Sequence, residues 1–118
     1  MRWLLALLLF LPATAWAQGA PSECSGTVGT TSAPIKFPAT GFTGPSVPTK
    51  YVTITNPLGT NKLAVNPTGA AVIDGQGSFP MDVNGAGWSW PDALGYPPPS
   101  TINIVGSGAG TPYTCKYQ

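Results

Sequence analysis

The chain has 118 residues, of which only 8% are charged, and its formal net charge is +1 at pH 7. This length predicts one domain with a modest core, and the weak charge gives no basic surface for a nucleic-acid backbone. The sequence contains no histidine, which excludes the Ser-His-Asp triad, the Cys-His dyad and imidazole metal sites.

Residues 1–17 have the pattern of a secretory signal peptide. Arg2 gives a positive start, and the apolar run that follows is too short to span a bilayer. Ala15 and Ala17 are the small residues that precede a cleavage site; cleavage after Ala15 is the alternative to cleavage after Ala17. We therefore predict a mature domain over residues 18–118, exported to the periplasm or the extracellular space, with no membrane insertion after the leader is removed.

Two cysteines, Cys24 and Cys115, lie near the two ends of the predicted mature chain. In an oxidising compartment such a pair normally forms a disulfide. The two residues are far apart in sequence and lack the C-x-x-C spacing of redox motifs, so we predict a structural bridge. Closing a loop of about ninety residues stabilises the fold by about 4 kcal/mol in the chain-entropy model.

Glycine and proline interrupt the whole mature chain, with 15 and 14 residues respectively. No long window escapes them, which excludes ordinary helices outside the leader. The segments between these breakers are rich in β-branched and aromatic residues and therefore predict strands. In chain order, the predicted strands are residues 35–37, 51–55, 62–65, 70–73, 78–81, 88–90, 101–105 and 113–117.

Turn residues suggest how these strands connect. We predict a hairpin across residues 51–65, a primed turn at Asp74 and the glycine that follows it, and a tight turn at Asn84 and its following glycine. Pro80 predicts an edge strand, because proline cannot donate to a ladder. Residues 106–110 predict a second hairpin turn rather than a phosphate loop, because no helix can follow them.

Several short strands separated by turns predict an all-β fold, either a small antiparallel β-sandwich or a jelly-roll-like barrel of about six to eight strands. The apolar positions of the strands predict the core. The predicted core residues are Val52, Ile54, Leu63, Val65, Val72, Ile73, Ile102 and Ile104.

Three aspartates, Asp74, Asp82 and Asp92, lie in predicted turns, where capping of the local backbone is the ordinary role of the side chain. The segment that begins at Asp82 lacks the glycine and glutamate of an EF-hand calcium loop. We predict no catalytic residue, no metal site and no cofactor. A carboxylate pair of the glycosidase type is the enzymatic alternative.

Trp88 and Trp90 alternate on one predicted strand, so both indoles project to the same face, with Tyr96 nearby in sequence. One interpretation is that the indoles cap the hydrophobic core. The other is that Trp88, Trp90 and Tyr96 form an exposed platform for a sugar or a protein partner.

The segments YVTITNP (residues 51–57), LAVNP (63–67), GSFPM (77–81), WSW (88–90) and INIVGS (102–107) follow one another in this order. Their rhythm resembles small β-sandwich proteins encoded among phage and prophage virion genes. The resemblance covers residues 48–118 and implies a structural or decoration role, with no catalytic residues to carry over. The predicted leader and the disulfide depart from that family.

Together these observations predict a non-enzymatic, exported structural or interaction protein of a decoration or adhesion-like type. It would act by self-assembly or by binding a protein partner, because edge strands are natural docking elements. The alternative function is a carbohydrate-binding module that uses the aromatic platform.

Overall fold

The computed structural model describes residues 21–90 and 96–118, and every regular element in these two ranges is a β-strand. No helix in them is long and apolar enough to cross a membrane. The predicted signal peptide (residues 1–17) and Asp92 lie outside the described residues. The strands are β1 (Ser22–Glu23), β2 (Gly26–Val28), β3 (Ala33–Pro34), β4 (Val52–Thr55), β5 (Leu63–Asn66), β6 (Phe79–Met81), β7 (Gly87–Trp90), β8 (Asn103–Gly106) and β9 (Thr111–Tyr117).

The strands form two antiparallel sheets that pack as a sandwich. The first sheet has the order β1-β9-β4-β7, and β2 also pairs with β9; the second has the order β3-β8-β5-β6. β1 and β2 follow one register on β9, with Glu23 opposite Lys116 and Gly26 opposite Tyr113. They therefore act as a single strand interrupted after Glu23. The predicted all-β sandwich is confirmed.

The core lies between the sheets and follows the alternation of the strands. Residues that face inward on β4, β5, β8 and β9 are buried, while β4 and β9 keep polar residues on their outer face. Six of the eight predicted core residues are at most 1% exposed: Val52, Ile54, Leu63, Val65, Ile102 and Ile104. The core prediction is wrong for Val72, which is 53% exposed, and Ile73 is half-buried outside the main core.

The predicted strand over residues 70–73 is absent, and the chain there forms an irregular segment. This segment lies on the outer face of the second sheet, where Ala71 and Ile73 pack against Ala64 of β5 and Val105 of β8. The run of apolar residues is therefore explained by a second, smaller cluster that the segment covers. It also explains why all four residues of β5 are buried.

Two connections and one strand differ from the prediction. β4 and β5 lie in opposite sheets, so residues 51–65 are not a hairpin. Residues 106–110 likewise carry the chain from β8 in the second sheet to β9 in the first, and they are not a hairpin turn either. The strand predicted over residues 35–37 is displaced to Ala33–Pro34. The edge position of Pro80 and the turn at Asn84, where Gly85 has φ 82°, are confirmed.

The predicted disulfide is confirmed. Cys24 and Cys115 are bonded, with their Cα atoms 4.8 Å apart, and both side chains are buried. The Cys24 N–H donates to the carbonyl of Cys115 over 3.0 Å, and the Cys115 N–H donates to the Ser25 hydroxyl over 2.8 Å. The hydroxyl thus replaces a main-chain acceptor where β1 and β2 are interrupted.

Candidate functional site: the aromatic edge of the sandwich

One side of the sandwich is bounded by the edge strands β7 and β6, one from each sheet. In the first sheet Trp88 lies opposite Ile54, and Trp90 lies opposite Val52. Residues directly opposite each other in an antiparallel pair project to the same side of the sheet. Since Val52 and Ile54 are fully buried in the core, both indoles point inward, toward the space between the sheets.

The second sheet adds a third aromatic ring from β6. Phe79 lies opposite Val65, and Met81 lies opposite Leu63, so both β6 side chains also point inward. Met81 is fully buried, whereas Phe79 lies farther out and is 48% exposed. The ring centroids of Phe79 and Trp88 are 5.9 Å apart, which joins the two sheets by an aromatic contact.

Phe79, Trp88 and Trp90 form what we call the aromatic cluster. The two indole centroids are 6.3 Å apart and their planes differ by 41°. Trp88 is half-buried and packs on the core, which agrees with the interpretation of a core cap. Trp90 is also half-buried. The tilt between the indoles means that they do not form one flat stacking surface.

Tyr96 meets this cluster through its backbone. The Trp90 indole Nε1–H donates to the Tyr96 carbonyl oxygen over 2.9 Å. The Tyr96 side chain is 62% exposed. The structure therefore brings Trp88, Trp90 and Tyr96 to the same edge, as the sequence predicts, with Trp88 held against the core and the Tyr96 ring in solvent.

The pairing of β4 with β9 determines which peptide groups of β7 bond to β4 and which point outward. Tyr51 and Gln118 exchange both main-chain hydrogen bonds, so Val52 and Ile54 direct their peptide groups toward β7. Their partners Trp90 and Trp88 are bonded to β4, and the peptide groups of Gly87 and Ser89 point away from the sheet. No strand in the described part of the chain pairs with that outer side of β7.

The four edges of the sandwich differ in how they resist pairing. β3 contains Pro34 and β6 contains Pro80, and β1 and β2 are separated by the interruption at Cys24 and Ser25. β7, with the sequence Gly-Trp-Ser-Trp, has no proline, no charge and no interruption. Among the described strands it is the edge best suited to accept another strand.

Two of the three aspartates of the enzymatic alternative line one cavity of about 300 Å³ on the outer face of the second sheet, Asp74 and Asp82. Asp74 is paired with Lys62 at 3.1 Å, and this hydrogen bond raises the pKa of the lysine. The Asp74 backbone has φ 55° and lies in the predicted turn. In residues 21–90 and 96–118 no group of three potential metal ligands is found.

Phe79 is the member of the cluster that the sequence analysis missed. Its signal was the pair Phe79 and Met81 on either side of Pro80, which places two large apolar residues on one face of an edge strand.

Comparison with family models, with curated proteins and with solved structures found no significant match for this chain.

Proposed function

We propose that this protein is a non-enzymatic, exported structural component that assembles by pairing its β7 edge with the β7 edge of a second copy. The observation that carries the proposal is the contrast between β7 and the other edges of the sandwich. The outward peptide groups of Gly87 and Ser89 pair with no strand in the described part of the chain, and the features that block pairing are found on β3, β6 and the β1/β2 edge.

A second copy is the occupant that suits this edge. Antiparallel pairing of β7 with itself is a two-fold contact in which each copy offers the same donors and acceptors. The strand carries no charge, so no like-charge repulsion opposes the contact. Phe79, 48% exposed beside this edge, would lose solvent-accessible apolar surface in the dimer.

Two further observations support an exported structural role. The buried Cys24–Cys115 disulfide suits a protein outside the reducing cytoplasm. The strand segments also resemble phage and prophage β-sandwich proteins, for which a structural or decoration role is implied. Neither observation requires a catalytic group.

The test compares the purified protein with its Ser89→Pro and Ser89→Ala variants by sedimentation equilibrium over a range of concentrations. Proline at position 89 removes an outward N–H and no bond to β4, because Ser89 and Thr53 are a non-hydrogen-bonded pair. We expect concentration-dependent dimers of the parent and of Ser89→Ala, and monomers of Ser89→Pro with an unchanged far-UV circular dichroism spectrum.

Two results would contradict this function. A parent protein that stays monomeric up to millimolar concentration has no self-association to explain. A Ser89→Pro variant that dimerises as strongly as Ser89→Ala would place the contact elsewhere on the surface.

Glycan binding is the second candidate function. It is favoured by the exposed ring of Phe79, which contacts Trp88, and by the exposed ring of Tyr96, whose carbonyl accepts from the Trp90 indole. Aromatic rings in this position can stack on the apolar faces of sugars. A glycan array should then give a ligand whose binding Tyr96→Ala weakens. An array without any bound glycan, or binding that survives Tyr96→Ala unchanged, would exclude this candidate.

A further inference from the structure

A groove lies on the other side of the sandwich from the aromatic cluster, where β2 of the first sheet and β3 of the second are the edge strands. Its volume is about 370 Å³, which is within the range of small-molecule sites. The irregular segment after β3 closes one side of it through Lys36 and Phe42. None of these residues belongs to the aromatic edge.

Tyr113 of β9 contributes a hydroxyl group to this groove. Its ring points inward across the sandwich, opposite Gly26, and the side chain is only 8% exposed. A Cβ atom at Gly26 would lie 3.0 Å from the Tyr113 hydroxyl oxygen, so the phenol passes directly over the glycine to reach the edge. The small residue on the edge strand therefore leaves the space that the hydroxyl occupies.

The Tyr113 hydroxyl forms no hydrogen bond with any residue in the described part of the chain, and burial alone raises its pKa. It therefore remains protonated at neutral pH and is a donor that lacks a protein acceptor. The hydroxyl oxygen is not fully buried, because no fully buried side-chain oxygen or nitrogen in the described residues lacks a partner. It therefore faces the open groove, where a ligand acceptor can take the place of solvent.

Lys36 supplies a positive charge at the same groove. Two other lysines, which do not line the groove, form ion pairs. Lys62 is paired with Asp74 at 3.1 Å, and Lys116 is paired with Glu23 at 2.5 Å. Lys36 is exposed and forms no ion pair within residues 21–90 and 96–118. Phe42, which is 56% exposed, adds an apolar ring to the rim.

We propose that this groove binds a small ring compound that carries a carboxylate. The carboxylate accepts hydrogen bonds from the Tyr113 hydroxyl and the Lys36 ammonium group, and the ring packs against Phe42 and Pro34. A carboxylate fits because both polar groups are donors and one is charged. The site is separate from the β7 edge, so binding here is independent of whether the protein dimerises.

The probes are phenylacetate, an aromatic acid, and glucuronate, an acidic sugar, each titrated into ¹⁵N-labelled protein and followed by amide chemical shifts. Phenylacetamide and glucose are the neutral counterparts. We expect saturable shifts at Gly26, Thr27 and Lys36 with at least one acid and much weaker shifts with its neutral counterpart. The acid that binds identifies the ring as aromatic or as a sugar.

Variants test the two polar groups. Tyr113→Phe should leave the thermal midpoint unchanged, because the hydroxyl has no protein partner, and should weaken binding about tenfold or more. Lys36→Met should weaken binding similarly, whereas Lys50→Met, a control at another exposed lysine, should not. The absence of saturable shifts with both acids, or affinity retained in both Tyr113→Phe and Lys36→Met, would overturn the proposal.

Discussion

Asn56 directly follows β4 and Asn66 is the last residue of β5, and each bonds to the turn that comes next. Both are buried, at 1% and 6% exposure. The Asn56 side-chain oxygen accepts from the Gly59 N–H, and its amide donates to the carbonyls of Asn61 and Met81. Asn66 accepts from the N–H groups of two later residues in the same way. The Asn-Pro pairs that mark strand ends in the sequence are therefore turn-forming residues with internal partners.

Gly59, in the turn that Asn56 holds, gives a prediction about backbone conformation and space. Gly59 has φ 70°, and a Cβ atom there would lie 2.9 Å from the Asn84 Cα and closer still to the Asn84 nitrogen. We expect Gly59→Ala to lower the free energy of unfolding by about 3 kcal/mol or more, because left-handed strain and a backbone clash add together. Urea denaturation measures the loss.

Gly41 is the matched control for Gly59. Its φ is 86°, and no atom lies within 4 Å of the position that a Cβ would take. Gly41→Ala should therefore cost only about 1 kcal/mol, from the backbone strain alone. Equal losses in the two variants would show that the contact between Gly59 and the Asn84 turn does not limit the substitution.

Glu23 gives a prediction about pH. Its hydrogen bond from Lys116, and then the one from Ser25, hold the pKa of its carboxyl below the ordinary value. A lowered folded-state pKa stabilises the protein above the unfolded-state pKa, and this contribution is lost as pH falls through the folded-state value. Glu23→Gln should therefore flatten the acid limb of the stability profile, measured by urea denaturation between neutral and acidic pH.

Lys116→Met serves as the complementary variant for Glu23, because Lys116 is the main cause of the lowered pKa. It should flatten the same limb while leaving the carboxyl in place. An acid limb that keeps its slope in both variants would assign the pH dependence to other groups.

At the scale of elements, the disulfide joins the interrupted β1/β2 strand to β9. The cysteines are separated by 91 positions, and a loop of that size predicts a contribution of about 4 kcal/mol. The Cys24→Ala/Cys115→Ala double variant should lose about this free energy of unfolding, and chemical reduction of the parent should give a similar loss. A loss below about 1 kcal/mol would mean that the unfolded chain gains little freedom when the bridge is removed.

The sequence predicted the strands β4 to β9 close to their observed positions. β4 and β9 show the clearest alternation, in which every second residue is buried in the core. The segment 70–73 lacks alternation, and its apolar residues cover the outside of the second sheet instead. A run of apolar residues indicates a segment that packs on the protein, but it does not indicate whether the segment is a strand of a sheet or a loop that covers one.

Strand partners were not predictable from the same pattern. The turn held by Asn56 carries the chain from β4 to β5 in the opposite sheet, although its length and composition also suit a hairpin. The choice depends on contacts between distant segments, such as the Asn56 bond to the carbonyl of Met81. Local turn residues contain no information about those contacts.

The sites were predictable to different degrees. Trp88 and Trp90 share a face because they are two residues apart on one strand, and the structure confirms this. The groove around Tyr113 joins segments that are far apart in sequence, at Gly26, Lys36 and Tyr113. No spacing within the chain could indicate it, because the antiparallel pairing of β2 with β9 creates the neighbourhood.

For the whole molecule, one buried cluster contains residues of both sheets, including Ile54 of β4, Leu63 of β5 and Tyr117 of β9. Neither sheet can lose its partner without exposing this core. We therefore expect a single cooperative unfolding transition, with the same midpoint for tryptophan fluorescence and for far-UV circular dichroism in urea. Two separated midpoints would show that the aromatic edge unfolds independently of the rest of the sandwich.

The pairing of the first and last described strands also has a mechanical consequence. Ser22 lies opposite Tyr117, so the chain enters and leaves at one corner, and the disulfide lies two residues further in. Tension applied across residues 21 and 118 would peel apart only the outermost pairs before it reached the covalent bond. The chain between Cys24 and Cys115, about 320 Å when fully extended, would stay hidden from the load until the bridge was reduced. The oxidised domain is thus an inextensible link, and reduction would turn it into an extensible one.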